Sequence, residues 1–240
     1  MNLKGEELEE AKRNAALRSV EHVKDGFVVG LGSGSTTAHA IEEMGRRVEN
    51  EELKILGVPT SYQAFLLAVQ HGIQITTLEE HPSLDLAIDG ADQIDDHLNL
   101  IKGRGGALAR EKIVAAASEK LIIIADETKK VKRLGENDQA VPLEVLPMAA
   151  AFVMRKTKEY DGNPSLRESS GKVGPLITDN GNVIVDVVFG PVDEPAKLEG
   201  KLKLIPGVVE TGLFVDLADL VYIGKSSGVE ELKSRRSRQK

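Results

Sequence analysis

Short, largely apolar runs, many of them β-branched, recur along the chain at Phe27–Leu31, Ile55–Val58, Ile73–Leu78, Leu84–Ile88, Leu121–Ala125 and Leu220–Ile223. Runs of this length with few polar positions suit strands covered on both faces. Segments of helical length and period separate several of them: Glu6–Val23, Thr36–Arg47, Tyr62–His71 and Ala107–Glu119. Parallel neighbours need a crossover long enough to hold a helix, so strand alternating with helix predicts a parallel sheet flanked by helices. Such a sheet binds ligands at the carboxyl ends of its strands.

The pattern changes after Leu134. Val141–Val145 reads as a strand, Met148–Tyr160 as a helix and Ser165–Glu168 as a short strand. Pro175–Phe189 reads as a hairpin turning at Asp179-Asn180-Gly181-Asn182, Glu194–Leu204 as a second helix and Val208–Phe214 as a last strand. The sheet-forming pattern resumes at Leu217–Ile223. We therefore expect a catalytic α/β domain from residues 1–134 and 215–240, with 135–214 inserted as a smaller α+β domain that serves as a lid or an assembly surface. The sequence holds no internal repeat, heptad array or low-complexity tract.

Composition removes several function classes. With 240 residues, 41% of them hydrophobic, the chain can bury a substantial core without staples. It has no cysteine, so disulfides, thiolate metal sites and a thiol nucleophile are excluded, and a cytoplasmic location is expected. Met1–Lys24 alternates charge with alanine and has no apolar signal core, and no window approaches the roughly 20 apolar residues of a membrane span; no membrane association is expected. Thirty-one basic against 38 acidic side chains give a formal charge of −7, which argues against a general nucleic-acid surface. A small anion is still permitted, because a few local cations and backbone N–H groups suffice to bind it. Lys233–Lys240, with five basic residues, reads as a solvated, frayed tail.

Three segments carry candidate chemistry. Gly30-Leu31-Gly32-Ser33-Gly34-Ser35-Thr36-Thr37 follows the first strand and opens a helix; its glycines allow a tight turn, and Ser35, Thr36 and the helix-start N–H groups can donate to phosphate oxygens. It matches neither a P-loop, for want of Gly-Lys-Ser/Thr, nor the dinucleotide fingerprint, and an ordinary strand-to-helix turn is the alternative. Asp89-Gly90-Ala91-Asp92 follows the run Leu84–Ile88: either a turn with helix-capping acids, or two strand-end carboxylates able to bind sugar hydroxyls or move a proton. Lys102-Gly103-Arg104-Gly105-Gly106 brings two cations on a glycine loop ahead of a helix, whose early turns hold Glu111, a candidate base or an ordinary surface glutamate. Lys129 follows another strand end. His22, His39, His71, His81 and His97 show no metal-ligand spacing and read as surface or packing residues; no metal is implied.

Taken together, Gly32–Thr36, Asp89–Asp92 and Lys102–Leu108 ending in Arg110-Glu111-Lys112 resemble, in order and spacing, the type A ribose-5-phosphate isomerase family. The resemblance extends over Gly57-Val58-Pro59-Thr60-Ser61, Ile177–Asn182 and Ile205-Pro206-Gly207-Val208, and so over most of the chain. It implies a Rossmann-like parallel sheet with an inserted ferredoxin-like α+β domain. It also implies interconversion of D-ribose 5-phosphate and D-ribulose 5-phosphate through an enediol or enediolate, without cofactor or metal, in a homodimer or homotetramer. Glu111 would then be the proton-transferring base, and Asp89, Asp92 and Lys102 would complete the reacting site. Ser33, Gly34, Ser35, Thr36, Gly90, Ala91, Gly103, Arg104, Gly105 and Lys129 would contact substrate or its phosphate. Lys12 is a looser match to a phosphate-contacting lysine. Ser33, Gln93 and Arg104 depart from the commonest family residues, threonine, glutamate and glycine. Another sugar-phosphate isomerase, a coenzyme A transferase on a related fold, or a noncatalytic sugar-phosphate sensor are the competing expectations.

Overall fold

The computed structural model describes residues 5–169, 171 and 173–234. Along the chain come α1 (Gly5–Val20), β1 (Val28–Leu31), α2 (Ser35–Asn50), β2 (Leu56–Pro59), α3 (Tyr62–Gln70), β3 (Gln74–Ile75) and β4 (Leu86–Gly90). Next are β5 (Gln93–Ile94), β6 (Leu100–Ile101), α4 (Leu108–Ala117) and β7 (Leu121–Asp126). Then follow β8 (Val141–Val145), α5 (Ala150–Lys158), β9 (Asn163–Leu166), β10 (Val183–Val188), α6 (Pro195–Lys203) and β11 (Val208–Thr211). Last are β12 (Leu213–Phe214), β13 (Leu220–Lys225) and β14 (Gly228–Lys233).

These elements form two compact units. The first holds the residues up to Ala91, Arg110–Lys129 and those from Leu217 onward. Its sheet has seven strands in the order β14-β13-β7-β4-β1-β2-β3, all parallel except β14, which returns antiparallel along β13. Taking the six parallel strands in chain order, this is the doubly wound order 3-2-1-4-5-6, with its reversal between β1 and β4. Val29, Leu31, Leu86, Ile88, Ile122 and Ile124 fill the core with the inner faces of α1, α2 and α3. The Rossmann-like expectation holds. Close helix packing has a residue-level cause: an added Cβ at Gly30 would lie 2.4 Å from Val114 of α4, and one at Gly224 would lie 1.8 Å from the Ala11 carbonyl oxygen of α1.

The second unit is Asp92–Ala109 with Lys130–Asp216. Its four-stranded antiparallel sheet runs β11-β8-β10-β9, and α5 and α6 complete the chain order βαββαβ, the ferredoxin-like arrangement. Val141, Leu143, Val145, Val183, Val185 and Val187 turn one face into a core with Val153 and Leu202. This division differs from boundaries at 134/135 and 214/215. Asp92–Ala109 groups with the second unit because β5 pairs with β6 and β6 with β12, not with the seven-stranded sheet.

Three local readings need correction. The segment before Asp179–Asn182 is not a strand: it makes a bridge from Ile177 to Val183, while β10 takes β8 and β9 as partners. The run Val208–Phe214 breaks at Gly212 into β11 and β12, which belong to different sheets; a Cβ at Gly212 would lie 2.4 Å from the Lys102 carbonyl oxygen. The basic tail begins inside a strand, since Lys233 ends β14 and pairs with Glu231 at 2.6 Å, and residues 235–240 lie outside those described.

Candidate functional site

The candidate residues divide between the two units. In the first, β1 and β4 stand side by side at the point where strand order reverses, with their carboxyl ends on one edge. That is where a doubly wound sheet leaves a crevice for a ligand. Gly32, Ser33 and Gly34 leave β1 there and Asp89 and Gly90 end β4 there. The two are locked together: the Gly32 N–H donates to the Ile88 carbonyl at 3.0 Å, and the Ser33 N–H donates to the Asp89 Oδ1 at 3.3 Å. The Gly90 N–H donates to the same oxygen at 2.7 Å. Gly32 is obligatory, because its Cβ would lie 2.3 Å from that oxygen. Asp89 is 3% exposed, so its carboxylate is held by backbone donors instead of bulk water.

Gly34 caps α2 with φ 117° and no side-chain hydrogen bond, so the first-turn N–H groups of α2 receive no cap from it. Ser35 is exposed and Thr36 half-buried at this end. Thr37, by contrast, is buried and returns its hydroxyl to the Gly34 carbonyl at 2.9 Å. The Ser33 hydroxyl lies 2.8 Å from that of Thr60 and bonds that of Ser61. Thr60, Ser61 and Gln63, whose Oε1 accepts from the Gly34 N–H at 3.1 Å, brace this loop. No role for Thr60 or Ser61 follows from the sequence motifs alone; their position after the carboxyl end of β2, on the same sheet edge, is the signal that marks them.

Glu111 sits in the first turn of α4 and is 5% exposed, which sets aside the ordinary surface glutamate. Lys129 closes a short turn, Glu127–Lys129, after β7, and is half-buried. The turn is fixed by Asp126, whose Oδ1 accepts the Thr128 N–H at 2.9 Å and its hydroxyl. Lys12 is engaged by Glu9 at 2.6 Å.

The second unit holds Asp92, Lys102, Gly103, Arg104 and Gly105. Asp92 accepts the Arg104 N–H on Oδ2 at 2.9 Å, and the Asp92 N–H donates to the Ile101 carbonyl at 2.8 Å. Lys102 is 3% exposed; its ammonium lies 5.4 Å from the centre of the Phe214 ring, and its N–H donates to the Gly212 carbonyl at 2.8 Å. Gly103 needs its missing side chain twice over, with φ 104° and a would-be Cβ 2.9 Å from Leu108. Arg104 is exposed. Among the described residues no group of three or more His, Cys, Asp or Glu could hold a metal ion.

Residues 56–228 match the family described as ribose 5-phosphate isomerase A (phosphoriboisomerase A). The chain is 49% identical over 222 residues to the ribose-5-phosphate isomerase A of Methanothermobacter thermautotrophicus, covering 92% of this chain and 97% of that one. It superposes on the structure of ribose 5-phosphate isomerase A from Methanocaldococcus jannaschii with a TM-score of 0.90 at 45% identity, over 94% of this chain and 99% of that one. It also superposes on a D-ribose-5-phosphate isomerase in complex with phospho-erythronic acid, with a TM-score of 0.92 at 43% identity, over 97% of this chain and all of the other.

Proposed function

Since the chain belongs to the ribose 5-phosphate isomerase A family and is an aldose–ketose isomerase interconverting D-ribose 5-phosphate and D-ribulose 5-phosphate, we propose that Glu111 is the base that moves its proton. Glu111 takes the proton from C2 of the open-chain aldose and returns one to C1, through an enediol or enediolate. The net change is a proton shift within the substrate, so no electron acceptor, cofactor or metal enters this reading. Asp89 and Asp92 serve ring opening and proton movement between O1 and O2, while Lys102 and the N–H groups of its glycine loop stabilise charge growing on oxygen. Ser33, Gly34, Ser35, Thr36 and Lys129 hold the phosphate end, with Gly90, Ala91, Gly103, Arg104 and Gly105 shaping the sugar site. The chain acts as a homodimer or homotetramer in the cytoplasm.

The observation that carries this reading is the placement of Glu111, a buried carboxylate in a first helical turn, within the unit whose strand-order reversal holds the glycine loop and Asp89. Positioned general bases contribute about 10²- to 10⁴-fold to rate, so Glu111→Gln, nearly isosteric but unable to accept the proton, is expected to lose that much kcat in a coupled assay with ribose 5-phosphate. KM should stay near the parent's. A folded variant with near-parent kcat would remove Glu111 from the role.

A further inference from the structure

One side chain outside every assigned role grips the loop that carries Lys102. Arg167 follows β9, and its backbone is fixed on both sides: its N–H donates to the Ile184 carbonyl and its carbonyl accepts the Leu176 N–H, each at 2.9 Å. Its guanidinium forks. Nε donates to Asp186 Oδ2 at 2.7 Å and one terminal nitrogen bonds Oδ1 of the same carboxylate. The other terminal nitrogen donates to the carbonyls of Gly103, at 2.8 Å, and Arg104, at 2.9 Å. Asp186 sits in β10 opposite Pro142 of β8, on the sheet face away from the valine core, and a Cβ on Gly103 would lie 3.3 Å from Pro142. The loop therefore lies over this face, and the fork is rooted in the sheet beneath it. Both side chains are four-fifths or more buried, so the ion pair is shielded from solvent more than a surface pair.

Peptide geometry turns this grip into an orientation. The described peptide bonds are all trans, so each N–H points opposite to the carbonyl of the same plane. Holding the carbonyls of Gly103 and Arg104 toward Arg167 aims the N–H groups of Arg104 and Gly105 the other way. There the Arg104 N–H meets Asp92. The Gly105 N–H is turned to the same side. We propose that Arg167 is a positioning residue for the isomerase reaction, which fixes the Lys102–Gly105 loop through two carbonyls so that the Lys102 ammonium and the Gly105 N–H are presented on the Asp92 side. This rests on the assignment of Lys102 and its loop to the reacting end of the sugar. A lysine cannot replace the fork, since one ammonium does not span a carboxylate and two successive carbonyls.

Arg167→Met, similar in length and without donors, tests it in the full-length protein, alongside Arg167→Lys and Asp186→Asn. Misplacing a reacting group by about 1 Å can cost on the order of 10²-fold, so Arg167→Met is expected to lower kcat about 10- to 100-fold. The KM for ribose 5-phosphate and inhibition by inorganic phosphate should stay within about threefold, because the phosphate groups belong to other residues. Arg167→Lys and Asp186→Asn should lose less in the same direction, and the Arg167→Met/Asp186→Asn double variant should be no worse than Arg167→Met, as Asp186 acts through Arg167. A folded Arg167→Met with kcat within about twofold of the parent overturns the proposal, as does a loss seen in KM and phosphate inhibition instead of kcat. If Arg167→Met does not fold, the two conservative variants decide by the same split. Glu111→Gln run in parallel separates the layers: retained kcat there rejects the base, whereas its loss beside an unimpaired Arg167→Met rejects only the positioning role.

Discussion

Ser35 and Thr36 open α2 behind a glycine that supplies no side-chain cap, and a helix N-terminus favours an anion, in line with the phosphate role proposed for them. Ser35→Ala combined with Thr36→Val is therefore expected to raise KM several-fold and to narrow the preference for ribose 5-phosphate over ribose. Lys129→Ala should act in the same direction, with added salt weakening binding by the parent more than by the variant. Unchanged kinetics in all of these variants would relocate the phosphate site. A second residue-scale effect lies at His22, whose Nε2 is 2.7 Å from the Tyr222 hydroxyl and whose Nδ1 is 3.4 Å from the Lys120 ammonium. Burial, then Lys120 and Arg18, holds the imidazole below its ordinary value of 6.5, against weaker opposition from Glu231 and Glu21. The folded state resists a proton that the unfolded chain accepts, so this contribution to stability is present above 6.5 and is lost as pH falls toward the folded value. His22→Gln should show a smaller drop in melting temperature between neutral pH and pH 5 than the parent; an identical drop would refute the linkage.

At the scale of elements, packing is set by where side chains are missing. α1 lies against β13 because Gly224 lets the Ala11 carbonyl approach, and the backbone leaves no room for a methyl group. Gly224→Ala must separate helix and strand, and overpacking of this kind typically costs about 1–3 kcal/mol. Urea unfolding should show that loss with an unchanged denaturant slope, and parent-like stability would mean that the helix yields freely. The Asp179–Asn182 turn shows a different element-scale device. Glu144, fully buried in β8, accepts on Oε1 from Thr178 at 3.0 Å, Asn180 at 2.9 Å and Asn182 at 2.8 Å. The turn is thus fastened to a neighbouring strand by a carboxylate, and its preceding arm does not need to be a strand.

At the scale of the molecule, the second unit exposes large apolar side chains. Met148 is 94% exposed and Leu204 84%, with Leu146 and Val209 also exposed nearby in sequence to the Leu146–Gly207 hydrogen bond. Exposed apolar side chains of this size suit a contact surface, and the proposed self-association would use them. On the proposal that the chain self-associates, Met148→Glu with Leu204→Glu is expected to shift sedimentation toward smaller species than the parent's. A parent that sediments as a monomer would refute the assembly.

Much was legible in the chain alone. The alternation of apolar runs with helical segments suffices for a parallel sheet, because strands buried on both faces must be apolar throughout and their crossovers must be helical in length. The glycine loops were legible because Gly32, Gly34 and Gly103 each need a backbone conformation or approach that few residues allow, Asp89-Gly90 because it follows an apolar run at a strand end, and the resemblance carried by those motifs named the reaction. Other features were decided only by the folded chain. β14 went unseen because an edge strand carries charge along its length, and Gly228-Val229-Glu230-Glu231-Leu232-Lys233 reads as polar until β13 pairs with it. β5 and β6 are two residues each and exist by virtue of pairing with each other and of β6 pairing with β12, which no local pattern encodes. Arg167 shows the same limit at one residue: its sequence neighbours give it no special status, and its grip on Gly103 and Arg104 arises from contacts made across more than sixty residues of chain.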